Sequence, residues 1–254
     1  MDTGYRVSVL TLFPEIVDHY FQTSIVGRAV TRGALRPDVV NIRDFANDRH
    51  RTCDDAPYGG GAGMVLLPGP LAGALDSVDA QRRYVVFPTP SGALFRQSDA
   101  ARLAGLDDLV LICGRYEGID QRIIDEYVDE EISIGDYVLS SGELAAMVIV
   151  DAVYRLREGM IRRESVEEDS FQDGLLEHPH FTRPVEFHGR SVPDVLLSGH
   201  HEQIAAWRRR EKLRKTARVR PDLLADADLC PDEVGFAEGV VQNKGVSNGR
   251  NQDC

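Results

Sequence analysis

The sequence predicts an α/β domain with a mostly parallel sheet, followed by a small, mainly helical domain. Strand-length apolar runs alternate with helical segments over the first 160 residues, which is the pattern of consecutive βαβ units. After Gly159 the chain becomes charged and loses its hydrophobic periodicity, which indicates a linker. A strongly basic helical pattern follows at 207–220. These three observations define the predicted architecture.

The predicted elements of the first domain follow one another as strand, helix and strand. The first strand is the apolar run RVSVLTLF, which Pro14 ends. Prolines and a glycine stop a later strand, and the strand that begins at Leu109 runs into a glycine-bounded loop. The predicted strands are 6–13, 39–45, 83–92, 109–120 with its loop and 128–139 with its loop, and the predicted helices are 15–21, 119–127 and 143–156.

Changes of composition divide the chain into four segments. Residues 1–160 form the α/β domain, 161–176 the linker and 177–234 the small helical domain. In that small domain a helix capped by Ser198 is expected to continue to about Ala217. The remainder, 235–254, has too little apolar content to pack, so we expect a disordered tail.

Composition excludes several classes of protein. No apolar run approaches the ~20 residues that span a bilayer, and the N-terminus lacks a basic segment before an apolar core. We therefore expect a cytoplasmic protein with no signal peptide and no membrane partner. The four cysteines lack C-x-x-C spacing, and no acidic or Cys residue stands at ligand spacing from the HPH and HH pairs. No metal site is predicted from this pattern.

Charge is unevenly distributed along the chain. The formal charge of −12 argues against a polyanionic partner, yet residues 207–220 carry eight Lys or Arg against one Glu, a local charge of +7. Because salt limits the field of surface charges to roughly 10 Å, such a segment can bind phosphates although the whole protein is acidic. A solvated helix face explains the same pattern equally well.

Three loops rich in small residues follow the carboxyl ends of predicted buried strands, at 88–92, 113–118 and 133–143. Ligands of open α/β sheets lie just outside such ends, and glycine lets main chain approach a ligand without a Cβ in the way. The sequence has no P-loop, dinucleotide fingerprint or G-x-S-x-G elbow. The loops therefore predict one pocket for a compact ligand held by backbone groups.

Long motifs spread over residues 5 to about 225 resemble the bacterial tRNA (guanine-N1-)-methyltransferase (TrmD) family, of the SPOUT class. They include APYGGGAGM, CGRYEGID, SIGDYVLS and VPDVLLSGHHEQIAAWR. The resemblance implies a catalytic domain with a deep trefoil knot, S-adenosylmethionine bound in that knot, and a homodimer that docks tRNA with help from its C-terminal domain. It implies methylation of guanine N1 in tRNA, at the guanosine immediately 3′ of the anticodon.

By this resemblance the three loops hold the cofactor. The residues concerned are Phe87, Pro88, Thr89, Pro90, Gly92, Gly114, Tyr116, Glu117, Ile134, Gly135, Asp136, Tyr137, Val138, Leu139, Ser141 and Gly142. The family commonly reads SGGELPAM where this chain reads SSGELAAM, so Ser141 adds a side chain and Ala145 removes a proline. We expect these differences to affect the shape of the loop and not its role.

The resemblance also assigns two catalytic residues. Asp169 would take the proton from guanine N1, and like charges at Glu167 and Glu168 would raise the pKa of its carboxyl group. Arg155 would stabilise the negative charge that spreads to O6. From the residues alone, the cap of a linker turn is the favoured interpretation of Asp169, and Arg155 fits a helix-surface arginine beside Arg157. The family arrangement puts Asp169 over the partner subunit's cofactor, in an active site shared between the subunits.

Contacts with the tRNA anticodon stem-loop are expected from the polar loop after the second strand, from the loop 113–118, from the linker and from the basic segment. The candidate residues are Arg49, His50, Asp54, Tyr58, Arg115, Ser165, Arg209 and Lys212. Magnesium is associated with the family, but no ligand cluster in the sequence identifies a site for it. Two alternatives remain open: methylation at a different RNA position, and an RNA-binding or assembly factor that has kept an inherited cofactor pocket.

Overall fold

The computed structural model describes residues 4–157, 160, 170–171 and 173–247, with backbone alone for 243–247. The chain divides into two compact units, Met1–Arg162 and Arg163–Cys254, and each is described by itself. No helix of these described residues is long and apolar enough to cross a membrane.

The first unit is built on a five-stranded sheet with helices on both faces. Its strands are β1 (Tyr5–Thr11), β2 (Leu35–Asn41), β3 (Asp54–Asp55), β4 (Val65–Leu66), β5 (Val85–Leu94), β6 (Asp108–Ile112) and β7 (Glu130–Ser133). The main sheet has the order β2-β1-β6-β5-β7, and each neighbouring pair in it is parallel. Strands β3 and β4 form a separate antiparallel pair. The predicted α/β class with a mostly parallel sheet is confirmed.

The helices of this unit are α1 (Pro14–Gln22), α2 (Ser24–Thr31), α3 (Pro68–Ser77), α4 (Gln97–Ala104), α5 (Gln121–Tyr127) and α6 (Glu143–Tyr154). Of these, α2, α3 and α4 are absent from the sequence prediction. Helix α3 begins with two prolines, which read as turn signals but suit a first helical turn, where the backbone N–H groups have no partner inside the helix. Its Leu71 and Leu75 are fully buried, so packing on the sheet stabilises it.

Two apolar clusters cover the two faces of the sheet. Along β1, Val7 and Val9 belong to the cluster under α1, α2, α4 and α6, whereas Leu10 belongs to the cluster under α3 and α5. Strand β6 alternates in the same way, with Leu111 on one face and Ile112 on the other. Successive side chains of a strand point to opposite faces, and a parallel sheet is buried on both. With both faces covered, a site is expected at the ends of the strands, and ligands of α/β sheets bind at the carboxyl ends.

The second unit is small and mostly helical. Its elements are β8 (Glu186–Phe187), β9 (Arg190–Ser191), α7 (Asp194–Leu197), α8 (His201–Val219) and α9 (Pro231–Ser247). The long helix begins two residues later than a cap at Ser198 implies. The Ser198 hydroxyl instead donates to the carbonyl of Val195, and it accepts the backbone N–H of His200.

The first part of the predicted tail, 235–247, differs from the expected disorder, because α9 continues as a helix to Ser247; the rest of the tail lies outside the described residues. Contacts with α8 explain the difference. Ala237 is buried, and the guanidinium groups of Arg210 and Arg214 lie 4.9 Å and 5.7 Å from the ring centroid of Phe236. The segment has little apolar content, but it packs because two arginines of the basic helix lie over the ring of Phe236.

Candidate functional site

A cavity of about 230 Å³ lies at the carboxyl ends of β5, β6 and β7. The three small-residue loops predicted to form one pocket meet around it. The lining residues are 87–90, 114–118, 132–135, 137–142 and Ala145. The parallel strand order places these loops side by side, since consecutive neighbours in the sheet all end at the same edge.

Of the residues expected to hold a cofactor, all except Gly92 and Asp136 line this cavity. Strand β5 pairs with Ile132 through both Pro88 and Ala93, so the chain between them bulges. A Cβ on Gly92 would lie 2.5 Å from the backbone nitrogen of Ile132, so glycine is needed there for strand packing. Asp136 is exposed. The sequence missed six lining residues: Gly118, Ile132, Ser133, Ser140 and Ala145, together with Arg115, which was expected to contact RNA.

The cavity's glycines allow one loop to pack against another. The amide of Gly142 donates to the carbonyl oxygen of Gly114 at 2.8 Å. A Cβ on Gly142 would lie 2.7 Å from the nitrogen of Gly114, and a Cβ on Gly114 would lie 2.8 Å from the ring of Phe87. Real Cβ atoms are not found that close to other heavy atoms, so side chains at either position would separate the loops. The sequence analysis expected these glycines to expose backbone to a ligand; their contacts show that they also hold the wall together.

Two tyrosines stand at the cavity with about half of each side chain exposed, Tyr116 and Tyr137. Tyr116 has a φ of +57°, a left-handed conformation that costs energy for a residue with a Cβ. Tyr137 packs over Gly135, whose φ is +149°, and the Tyr137 hydroxyl donates to the carbonyl of Ile134 at 3.3 Å. Both rings line the cavity, and the hydrogen bond to Ile134 helps to fix the orientation of the Tyr137 ring.

Glu117 connects the cavity to the polar loop that precedes β4. Its carboxylate accepts the backbone N–H of Met64 at 2.8 Å, and its own N–H donates to the carbonyl of Met64 at 3.1 Å. Gly63 makes room for this contact, because a Cβ there would overlap the carboxylate. The Glu117 carboxylate is therefore a link between two loops as well as part of the cavity wall.

A buried carboxylate lies directly behind the wall, at Glu143 in the first turn of α6. Glu143 is 2% exposed, and its Oε1 accepts the hydroxyl of Thr11 at 2.6 Å. Its Oε2 is buried without a hydrogen-bond partner among the described residues. Burial, together with the negative charge of Glu143, raises the pKa of the Cys113 thiol well above its usual value. Sequence patterning gave no sign of this residue, since an acid in the first helical turn is ordinary.

Comparison with known proteins assigns the chain. Residues 5–226 match the family described as tRNA (Guanine-1)-methyltransferase TrmD. The chain belongs to this family. The tRNA (guanine-N(1)-)-methyltransferases of Treponema denticola and Treponema pallidum are 59% and 60% identical to it, over 93% of this chain and 98% and 95% of those proteins. The protein of the same name from Caldicellulosiruptor saccharolyticus is 49% identical, over 90% of this chain and 94% of that protein.

Of the two residues that the TrmD family resemblance marks as catalytic, the structure describes Arg155 and not Asp169. Arg155 follows the last residue of α6, half-buried, and its backbone N–H donates to the carbonyl of Asp151 at 3.4 Å. It is not among the residues that line the cavity. Asp169 lies outside the described residues, as does Ser165, so their expected roles stay predictions.

The loop expected to meet the target nucleotide of a TrmD family member has a defined shape around Asp48. The Asp48 carboxylate accepts the backbone N–H groups of Thr52 and His50, each at 2.8 Å, and these bonds, that of Thr52 above all, lower the pKa of Asp48. Arg49 and His50 are exposed at its tip, and Tyr58 is fully exposed.

Two further residues expected to contact tRNA lie closer to the sheet. Asp54 forms part of β3 and pairs with Leu66. Arg115 stacks its guanidinium 4.4 Å from the ring centroid of Phe13, at the cavity wall.

The basic segment that the TrmD family would use for tRNA is engaged in ion pairs inside the second unit. Arg209 binds Glu233 at 2.7 Å and Asp173 at 3.2 Å, and Lys212 binds Asp173 at 3.1 Å. The hydrogen bond from Arg209 lowers the pKa of Glu233 to about 2. Neighbouring cations have acidic partners too, as in the Lys215–Glu177 and Arg220–Asp222 pairs. Much of the +7 excess is thus balanced by acids from outside the segment.

A metal centre is not evident in the part of the chain that the structure describes. No group of three or more His, Cys, Asp or Glu side chains there could hold an ion. The paired histidines instead make ring contacts: His178 lies 4.5 Å from His180 and 6.4 Å from Trp207, measured between ring centroids.

Proposed function

We propose that this protein methylates N1 of guanine in tRNA, at the guanosine immediately 3′ of the anticodon, with S-adenosylmethionine as methyl donor. One observation carries the proposal: in a chain of the TrmD family, the three small-residue loops enclose a single cavity at the carboxyl edge of a parallel sheet. The edge of such a sheet is where α/β proteins bind compact ligands.

The residues around the cavity fit such a donor. Backbone groups of the loops, the hydroxyls of Thr89 and Ser141 and the apolar surfaces of Phe87 and Leu139 offer both polar and apolar contacts. A sulfonium supplies a methyl group that is already electrophilic. The protein's own task is then to hold that group in line with guanine N1, which proximity and orientation accomplish.

We also propose the deep trefoil knot of the family for this chain. Strand β5 lies between β6 and β7, so the chain that leaves β6 must cross β5 to reach β7. The loops that follow β6 and β7 are joined by the Gly142–Gly114 hydrogen bond and by an antiparallel bridge between Arg115 and Ser141. This close contact between the two loops supports a threaded connection.

In the proposed reaction Asp169 accepts the N1 proton, which makes the ring nitrogen nucleophilic. The electron pair left on guanine spreads to O6, where the guanidinium of Arg155 stabilises the charge. The second unit and the loop around Asp48 hold the anticodon stem-loop, and the fully exposed ring of Tyr58 offers a stacking surface for an unpaired base.

A homodimer with shared active sites is part of the proposal. On α6, Leu144 and Val148 are one turn apart and exposed by 51% and 48%, an apolar stripe beside the cavity that a partner subunit would cover. Mixing a Gly142→Ala chain with an Asp169→Ala chain tests the sharing. The donor concentration is set so that it fills the wild-type cavity and leaves the Gly142→Ala cavity mostly empty. Random pairing then yields one intact site in each mixed dimer, so about a quarter of the wild-type rate should return. Activity no higher than that of either variant alone contradicts shared sites.

The proposed activity is tested by reaction of the purified protein with tRNA transcripts that carry G or A at the target position. We expect one N1-methylguanosine, mapped by mass spectrometry to the position 3′ of the anticodon, and only in the G transcript. A modified nucleoside elsewhere would support the alternative of a different RNA target. Binding of tRNA without methyl transfer would support the assembly-factor alternative.

A further inference from the structure

Glu143 is an unusual residue to find behind a ligand cavity. It is 2% exposed, and no Lys, Arg or His side chain of the described chain pairs with it. Only one carboxylate oxygen has a partner, the hydroxyl of Thr11, while Oε2 has none among the described residues. Removal of a carboxylate from water costs free energy, which a complete set of hydrogen bonds or a cation normally offsets.

The helix end offsets only part of this cost. Glu143 is the first residue of α6, where the free N–H groups and the helix dipole favour a negative charge. That effect is available to an exposed acid in the same turn, without burial. A buried polar atom that lacks a partner calls for another explanation, and proximity to a functional site is a common one.

The position of Glu143 puts its charge next to the cavity. It lies on the same helical turn as Gly142 and Ala145, both of which line the cavity. On the other side it acts on Cys113, the residue that precedes the lining residue Gly114. The space around this carboxylate is closed to solvent, so its field is weakly screened there.

The other charged groups at the cavity are arranged differently. Glu117 is exposed, and its carboxylate is bound to the amide of Met64. Arg115 is positive and stacks on Phe13. Glu143 is thus the one fully buried carboxyl group that adjoins the cavity in the described part of the chain.

We propose that Glu143 selects the charge of the ligand: its buried carboxylate favours the cationic methyl donor over the uncharged thioether that remains after methyl transfer. This inference rests on the proposed function. During transfer the S–CH₃ bond breaks, a bond from that carbon to guanine N1 forms, and the sulfur loses its positive charge. The attraction to Glu143 is lost at the same moment, so the spent product binds more weakly and leaves the cavity.

Two variants separate charge from hydrogen bonding. Glu143→Gln removes the charge and keeps an oxygen that accepts from Thr11, whereas Thr11→Val removes the hydrogen bond and keeps the charge. The test measures, by calorimetry, the affinities of S-adenosylmethionine and S-adenosylhomocysteine for the full-length wild-type protein and for each variant. Because a buried charge acts on a neighbouring opposite charge with little screening, we expect the wild-type protein to prefer the cationic ligand by about tenfold. Glu143→Gln should lose that preference, and Thr11→Val should retain it.

The results distinguish three situations. If both ligands bind the wild-type protein and Glu143→Gln weakens them equally, the carboxylate does not select charge, and the inference is overturned. If neither ligand binds the wild-type protein, the proposed function itself fails. If Glu143→Gln does not fold, Glu143→Met provides a second uncharged variant of similar volume with no unpaired amide, and the same loss of preference is expected.

Discussion

The cavity of the first unit and the basic helix of the second are both conspicuous in the sequence, but they are built on opposite principles. Residues with little or no side chain shape the cavity wall, as where the Gly142 amide meets the Gly114 carbonyl at 2.8 Å. Long charged side chains define the basic helix, and Arg209 and Lys212 already share Asp173 as a partner. The glycine-rich loops at the strand ends surround one cavity, as their sequence predicts. The cations of the basic helix, in contrast, are partly neutralised by acidic partners.

The difference arises because the shape of the cavity wall depends on the loop residues that form it, whereas the net charge of a helix face does not depend on that face alone. Whether two loops can approach is decided by the few atoms at their contact, which the loop sequences themselves contain. The net charge of a helix face depends on acids that arrive from distant parts of the chain, such as Glu233 and Asp173. We therefore expect substitutions to act mainly on ligand affinity in the cavity, and mainly on stability and salt dependence in α8.

The largest effect is expected from the carboxylate of Asp169. In Asp169→Ala the proton on guanine N1 has no acceptor, so the single-turnover rate should fall by roughly 10²–10⁴-fold. The affinity for S-adenosylmethionine should change by less than about twofold, since a proton acceptor is not part of the donor's cavity. Equal losses of rate and donor affinity would move Asp169 from catalysis to cofactor binding.

The second-largest loss of methyl-transfer rate is expected for substitutions of Arg155. Loss of one positive group that faces a developing oxyanion costs about 3 kcal/mol, so Arg155→Ala should be slower by on the order of 10²-fold. Arg155→Lys retains the charge and loses the planar fork, and we expect it to recover only a small part of the rate. Arg157→Ala serves as the control for packing, because Arg157 donates to the carbonyls of Ala104 and Leu106 at 2.6 Å and 2.7 Å. A variant at Arg157 that is as slow as Arg155→Ala would indicate that the end of α6, and not the Arg155 guanidinium, is needed.

A smaller effect, on affinity alone, is expected at Gly142. One methyl group there would lie 2.7 Å from the backbone nitrogen of Gly114, and overpacking of this kind costs about 1–3 kcal/mol. Gly142→Ala should weaken S-adenosylmethionine binding by roughly 10–100-fold, with calorimetry as the measurement. Gly69→Ala is the matched control, since a Cβ there meets nothing within 4 Å and its φ, like that of Gly142, is not positive. Wild-type donor affinity in Gly142→Ala would show that the wall tolerates expansion and would weaken the contrast with α8.

The main strands and the loops of the first unit could be predicted from the sequence because hydrophobic runs and glycines report on local structure. The role of Gly92 could not, since it depends on how closely β5 approaches β7. The burial of Glu143 could not be predicted either. Its hydrogen-bond partner Thr11 is 132 residues away, and no residue near Glu143 in the sequence indicates that the carboxylate is buried. The helix at 235–247 was not predicted for the same reason, because its stability comes from contacts with α8 and not from its own composition.

The ion pairs of α8 give a test of which cations are available to phosphates. In Asp173→Asn, Lys212 and one side of Arg209 lose their shared partner. If these cations contact tRNA, the variant should bind it a few-fold more tightly, and the slope of log affinity against log salt should steepen by up to about one. Lys212→Ala should flatten the same slope by a similar amount, measured by filter binding. An unchanged slope in both variants would remove the pair from the RNA interface.

The smallest effect concerns the pH dependence of stability. Arg209 lowers the pKa of Glu233 from 4.5 to about 2, so the pair stabilises the second unit fully above pH 4.5. That contribution is lost as the pH falls towards 2, because the folded state must then take up a proton that the unfolded state already holds. Glu233 is partly exposed, so the gain should stay near 1 kcal/mol or below.

In thermal unfolding, the advantage of the wild-type protein over Glu233→Gln should shrink between pH 5 and pH 3. Glu238→Gln is the control, an exposed glutamate of the same helix with no ion pair in the described chain. A difference that stays constant over this range would mean that Arg209 gains little from Glu233 and can turn to a phosphate at low cost. Arg209 would then be available to phosphates, as the sequence of the basic helix suggests. The contrast with the cavity would rest on the remaining ion pairs, such as Lys212–Asp173 and Lys215–Glu177.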